Sequence, residues 1–295
     1  MNLLNKLHQF FLSEFTKKRI EKTILYVALF GFFIHLILIY LSNAGIVNLS
    51  LKSELLKNPI SAIYTPFSFI LVYEVYLLIY YLPKSFTTYV TKQYEIITLI
   101  IIRKLFKDLS ILELSSDWFQ IKGDLQFTYD LLASIILFYL IFQFQKQGMQ
   151  KAIQQKENKP KIERFISRKK IIAISLVPIF FIMALITLAN WITGVSFGSN
   201  DLPSFETINN LFFDKFFTVL ILVDVVLLLI SFFYTDKFHK IIRNSGFVVS
   251  TILIRMSFGV SGLISTILIV VAALFGLAIL IIHNKYEKNI KISTT

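Results

Sequence analysis

The chain has 295 residues, 56% of them hydrophobic and only 16% charged, with a mean hydropathy of +0.69. A soluble domain carries about 45–50% apolar and about 25% charged residues, so both values exclude an ordinary soluble protein and point to the bilayer. The absence of cysteine excludes disulfide scaffolds, thiol redox centres, Cys-ligated zinc and iron–sulfur clusters.

The formal net charge is +12. In a soluble protein that value would suggest nucleic acid. In a hydrophobic chain the plainer reading is a surplus of Lys and Arg on the cytoplasmic side, with no nucleic-acid partner. The wealth of Ile, Lys, Asn and Phe fits an AT-rich bacterial genome and hence a bacterial inner membrane. The four histidines, His8, His35, His239 and His283, lie far apart in sequence, and no H-x-x-x-H or H-E-x-x-H motif occurs. Phosphate-binding loops, dinucleotide fingerprints and nucleophile elbows are also absent. The expectation is a non-enzyme without cofactor or metal.

In chain order, residues 1–22 come first. Leu3, Leu4, Leu7, Phe10, Phe11 and Phe15 recur at helical spacing. This predicts an amphipathic helix lying on the membrane surface, with Lys17, Lys18, Arg19 and Lys22 abutting the first span. The apolar run 23–44 is too long for a signal peptide and reads as that span. Seven more candidate spans follow, at about 60–82, 85–106, 126–145, 170–193, 211–234, 245–260 and 262–283. The seventh is short, and a Gly-Val-Ser-Gly turn at 259–262 separates it from the eighth. The fold class expected is therefore an all-α polytopic bundle over 23–283 with eight spans, or seven if the short one is re-entrant. A cytoplasmic tail at 284–295 completes it.

Alternating eight spans from an inner N-terminus gathers most of the 30 Lys and Arg residues on the inner side, with both termini inside. The largest inner segment, 146–170, is strongly basic. It reads as a topology determinant touching anionic lipid headgroups, and alternatively as a docking loop for a partner protein. A homo-oligomer is compatible with the sequence.

A charge in hydrocarbon costs about 2.5–3.5 kcal/mol on insertion scales, so charges within spans pair or line a wet cavity. Glu74 lies in the second span, Lys92, Glu95 and Arg103 in the third, Asp130 at the start of the fourth, Asp224 in the sixth and Arg255 in the seventh. At 1.5 Å per residue, Asp224 falls roughly 20 Å below the outer end of its span and Arg255 roughly 15 Å above the inner end of the next. Those depths match, and short connections make the two spans neighbours, which predicts an Asp224–Arg255 ion pair. The same arithmetic places Glu74 and Lys92 near one level, sends Arg103 towards the outer interface, and leaves Glu95 with no evident basic partner.

On the third span Ser85, Thr88, Lys92, Glu95 and Arg103 fall within an arc of about 100°. Asn244, Thr251, Arg255 and Gly259 share a face of the seventh span, and Asp224 aligns with Ser231 and Thr235 on the sixth. Tyr73, Tyr76 and Tyr80 line one side of the second, where core packing with a polar tip is the simpler reading. The expected ion or proton pathway therefore comprises Glu74, Lys92, Glu95, Arg103, Asp224 and Arg255, in a channel or transporter. The alternative is a non-conducting membrane sensor or assembly partner acting through the basic loop. Voltage-sensor, potassium-filter and retinal-protein patterns are absent.

Overall fold

A computed structural model describes residues 3–45, 59–111, 122–152, 159–194, 205–260 and 262–292. Among these there is no β-strand. Five helices are long and apolar enough to cross a membrane by length and composition, and a shorter apolar helix covers Thr65–Tyr81. The all-α membrane bundle is thus the observed architecture. Its five long apolar helices are fewer than the eight spans expected. The helices below that threshold include those that concentrate the polar residues, for reasons that the packing makes clear.

The chain begins with α1 (Leu3–Leu12) and α2 (Glu14–Asn43). The break falls at Ser13, not at Lys22. The Ser13 Oγ accepts the Thr16 backbone N–H at 3.1 Å and so caps α2, whose first turn also carries Glu14. The basic cluster Lys17–Lys22 is therefore the opening of the long apolar helix itself. After a 3₁₀ turn at Pro59–Ile63 come α3 (Tyr64–Tyr81) and α4 (Phe86–Ile111). Ser85 caps α4 in the same way, accepting the Thr88 N–H at 3.1 Å. Ser85 is thus a helix start rather than part of a polar face.

Then come α5 (Lys122–Ala152), α6 (Lys159–Gly194) and α7 (Phe205–Phe232). The basic stretch 146–170 is mostly helical at both ends, since α5 runs on to Ala152 and α6 begins at Lys159; residues 153–158 lie outside the described set. α6 continues through Pro178. A membrane helix tolerates the missing N–H where neighbours satisfy the freed carbonyl. The last pair is α8 (Phe238–Ser257) and α9 (Leu263–Ile292). Between them Gly262 adopts φ +80°, a conformation glycine takes without steric cost, as the Gly-Val-Ser-Gly pattern suggests.

The chain forms two compact units. The first contains residues 1–80, 103–113 and 172–219, and the second contains residues 81–102, 114–171 and 220–295. In the first, the tyrosines of α3 meet the start of the chain: Tyr73 donates to Glu21 at 2.9 Å and Tyr76 to the Phe11 carbonyl at 2.9 Å. Lys17 sits over the Tyr80 ring. The row thus packs with polar tips satisfied. In the second, α9 packs against α8 and α5, around a core that includes Phe144, Phe247, Ala272 and Leu280.

Many large apolar side chains of the described residues are exposed. Phe30 is 68% exposed, Phe138 74% and Phe181 65%. Large apolar side chains at that exposure on long helices belong against lipid, not water. The class that composition and fold define is an integral membrane protein.

Candidate functional site

The buried charge of the second unit centres on Asp224. It projects from α7, a helix rich in Leu, Val and Ile, in which a lone carboxylate would be costly. Arg255 of α8 answers it, with Nη1 2.8 Å from the carboxylate Oδ2, and the two side chains are 2% and 3% exposed. The two residues that depth arithmetic pairs are in contact. α4 completes the shell. The Tyr89 hydroxyl donates to Asp224 Oδ1 at 3.0 Å, and Gln93 Nε2 donates to Oδ2 at 3.4 Å.

Tyr89 and Gln93 were not among the expected site residues. They lie on the buried side of α4, four residues apart and so one above the other, with Ile97 on the same packed side. The expected stripe of Thr88, Lys92 and Glu95 is the more accessible side of that helix. A stripe centred on charged residues thus marks the more accessible face of α4. The signal for the other face is a hydroxyl and an amide donor at four-residue spacing, Tyr89 and Gln93.

The expectation that Glu95 lacks a basic partner is corrected. Lys92 Nζ lies 2.6 Å from Glu95 Oε2, one helical turn away, and Gln145 Nε2 donates to Oε1 at 2.7 Å. Lys92 is accordingly engaged with Glu95, while Glu74 belongs to the first unit. There Glu74 is buried, with Arg103 of the same unit as a cation acting on it. The six expected residues thus fall into three groups: Asp224 with Arg255, Lys92 with Glu95, and Glu74 with Arg103.

Further polar groups are packed away on α7 and α8: Ser231, Asn244 and Thr251 are all buried. Asn244 Nδ2 donates to Ser231 Oγ at 3.4 Å, and its own Oδ1 accepts from Arg243 Nη2 at 2.9 Å. The face predicted for α8 is therefore the packed one. Thr235 is half-buried.

Lys169 of α6, within a run of basic residues, is a further buried group outside the expected set. It is only 1% exposed; its ammonium donates to the Lys84 carbonyl at 2.6 Å and lies over the Phe86 and Phe165 rings. The two ring faces and the carbonyl surround the buried amine, and Asp224 acts on it as an anion. Nothing in its sequence neighbourhood distinguishes it from Arg168 or Lys170.

A second cluster ties α5 to α9. Buried Asp130 accepts from Thr266 Oγ1 at 2.7 Å and Gln126 Nε2 at 2.8 Å. Close packing also shapes α9 beside α4. Tyr94 and Ser250 share a hydrogen bond of 2.6 Å, and Ser250 donates to the Ala272 carbonyl at 2.6 Å. Gly276 makes room for them, since a Cβ there would collide with the Tyr94 hydroxyl.

Comparison with protein-family models, curated proteins and solved structures finds no match. The class therefore stands on composition, fold and site: an integral membrane protein of helical architecture with a buried, four-residue charge centre.

Proposed function

We propose that the protein moves ions or protons across its membrane through the polar interior of the second unit, as a channel or transporter. The observation that supports this reading is the Asp224–Arg255 pair with Tyr89 and Gln93. Four polar side chains from three helices converge where a purely packed bundle would place aliphatic ones. Ionisable groups at membrane depth typically mark conduction paths and proton relays. Asp224 and Arg255 act as the gate, whose opening needs their separation. Glu95, the partly accessible carboxylate of α4 held by Lys92 and Gln145, is the group that takes up the cation or proton.

The topology in this reading has both termini and the basic 146–170 stretch in the cytoplasm, against anionic lipid of a bacterial inner membrane. It counts α3, α4 and α8 as crossing segments, made short or polar by the site they build.

The test is flux into proteoliposomes that hold the purified full chain. Expected is proton or cation flux well above that of empty vesicles, reduced about tenfold in Glu95→Gln. Wild-type flux equal to that of empty vesicles, across varied voltage and pH gradients, overturns the proposal.

One observation favours the alternative of a non-conducting sensor or assembly partner. Both carboxylate oxygens of Asp224 are engaged, as they are when an ion pair serves only to fix helix register. That reading predicts no flux and a copurifying protein lost on neutralising the basic residues of 146–170.

A further inference from the structure

His239, in the first turn of α8, and His283 and Glu287, near the end of α9, stand together in the second unit. Each offers one ligand atom, and the three atoms lie within 4.8 Å of one another. The Glu287 Oε1 is 3.4 Å from His283 Nε2 and 3.6 Å from His239 Nε2. A tetrahedral metal with bonds of about 2.0–2.2 Å holds its donors roughly 3.3–3.6 Å apart. Two edges of such a tetrahedron are already in place. His283 and Glu287 share a face because they are four residues apart on one helix. His239 joins them because α8 and α9 pack together.

The tautomer is set as ligation requires. His283 Nδ1 is 3.0 Å from the His239 carbonyl oxygen. A carbonyl only accepts, so Nδ1 carries a proton; the Arg243 guanidinium only donates and faces Nε2 at 3.1 Å, so Nε2 keeps its lone pair. A ring N–H held by a backbone carbonyl is the usual support for a metal-bound imidazole. The rings are also fixed: His239 and His283 stack at 5.1 Å, and Tyr286 stacks on His239 at 5.2 Å.

A lone pair and a carboxylate facing each other at 3.4 Å call for a cation between or beside them. Arg243 meets that need here, with Nη1 3.1 Å from His283 Nε2. The same guanidinium is anchored through Nε and Nη2 to Asn244 Oδ1, at 3.2 and 2.9 Å. A metal would displace Nη1 from Nε2 while leaving that anchor intact. His283 is 3% exposed, whereas the Glu287 side chain is 19% exposed, so the cluster has a closed side and a side from which an ion enters.

We infer that His239, His283 and Glu287 form a binding site for a divalent transition metal of the zinc class. Two imidazoles and one carboxylate suit zinc, cobalt or nickel and disfavour magnesium and calcium. Three protein ligands leave the fourth position to water, on the Glu287 side. A metal there clasps the start of α8 to the end of α9, and Arg243 is the cation it replaces. This inference does not rest on the transport proposal.

The test uses the full-length chain in detergent, stripped with chelator and dialysed against zinc ion. Expected is one equivalent of zinc per chain, bound at least tenfold more weakly by His283→Gln, His239→Gln and Glu287→Gln, and unchanged in His8→Gln with His35→Gln. Arg243→Gln should bind more tightly, since a competing cation is gone. Cobalt ion added to wild type should give the visible absorption of a four-coordinate site. Zinc retained well below one equivalent by the wild type overturns the inference. So does retention insensitive to Glu287→Gln, the substitution at the most exposed ligand and the least disruptive to folding.

Discussion

Asp224→Asn replaces a charge while keeping the size of the side chain and an acceptor for the Tyr89 hydroxyl. Arg255 then stays buried beside a neutral amide, at 2% side-chain exposure, with Nη2 already lacking a hydrogen-bond partner among the described residues. Breaking a buried pair by removing one member costs about 3–5 kcal/mol, because the survivor is left uncompensated. Tenfold corresponds to about 1.4 kcal/mol, so the folded fraction relative to the unfolded falls by more than a hundredfold. Replacing both members, as Asp224→Leu with Arg255→Met, removes the stranded charge. It leaves Tyr89 and Gln93 without their acceptor, at about 1–3 kcal/mol, so the double variant should recover part of the loss and remain below wild type. The assay is reversible unfolding in mixed micelles, read by helical circular dichroism, alongside the thermal loss of a monodisperse elution peak. Asp224→Asn unfolding within about 1 kcal/mol of wild type would refute the reasoning. So would a double variant less stable than either single one, because a pair held together by its charges cannot behave that way.

The remaining predictions probe other layers. Glu95→Gln should change stability by less than about 1 kcal/mol in the same unfolding assay, since the Lys92–Glu95 pair is 30% and 27% exposed and screened; its effect belongs to flux. Gly276→Ala should cost about 1–3 kcal/mol by driving a methyl into the Tyr94 hydroxyl, and Tyr94→Phe in the same chain should restore part of it by removing that oxygen. Thr266→Val keeps the shape of the side chain and deletes the donor to Asp130, so about 1.5–3 kcal/mol should be lost. Ser13→Ala should cost about 0.5–2 kcal/mol through the α2 cap and fray the α1–α2 junction, seen as faster amide exchange at Thr16.

Why only part of the site was legible follows from particular residues. Asp224 and Arg255 were found because each interrupts a long apolar run, and depth along a helix depends only on residue number and rise. Tyr89 and Gln93 were missed because neither carries a charge, and their value to Asp224 comes from the rotation of α4. Depth alone makes Glu95 look solitary, but Lys92 stands three residues away and a flexible lysine reaches a full turn. His239 and His283, 44 residues apart, match no short metal motif and meet only because α8 and α9 pack side by side.

By itself the sequence determined membrane residence, the all-helical class, the turn at Gly262 and the positions of most helices. Hydrophobicity, helical period and capping act over a few residues and are written along the chain. Tertiary structure decided the rest: which face of α4 is buried, where the long first helix begins, which cation answers each carboxylate, and that a histidine from each of two helices shares a carboxylate. Those depend on the angular setting and neighbours of whole helices. Many side chains contribute weakly to that choice, and no single residue announces it.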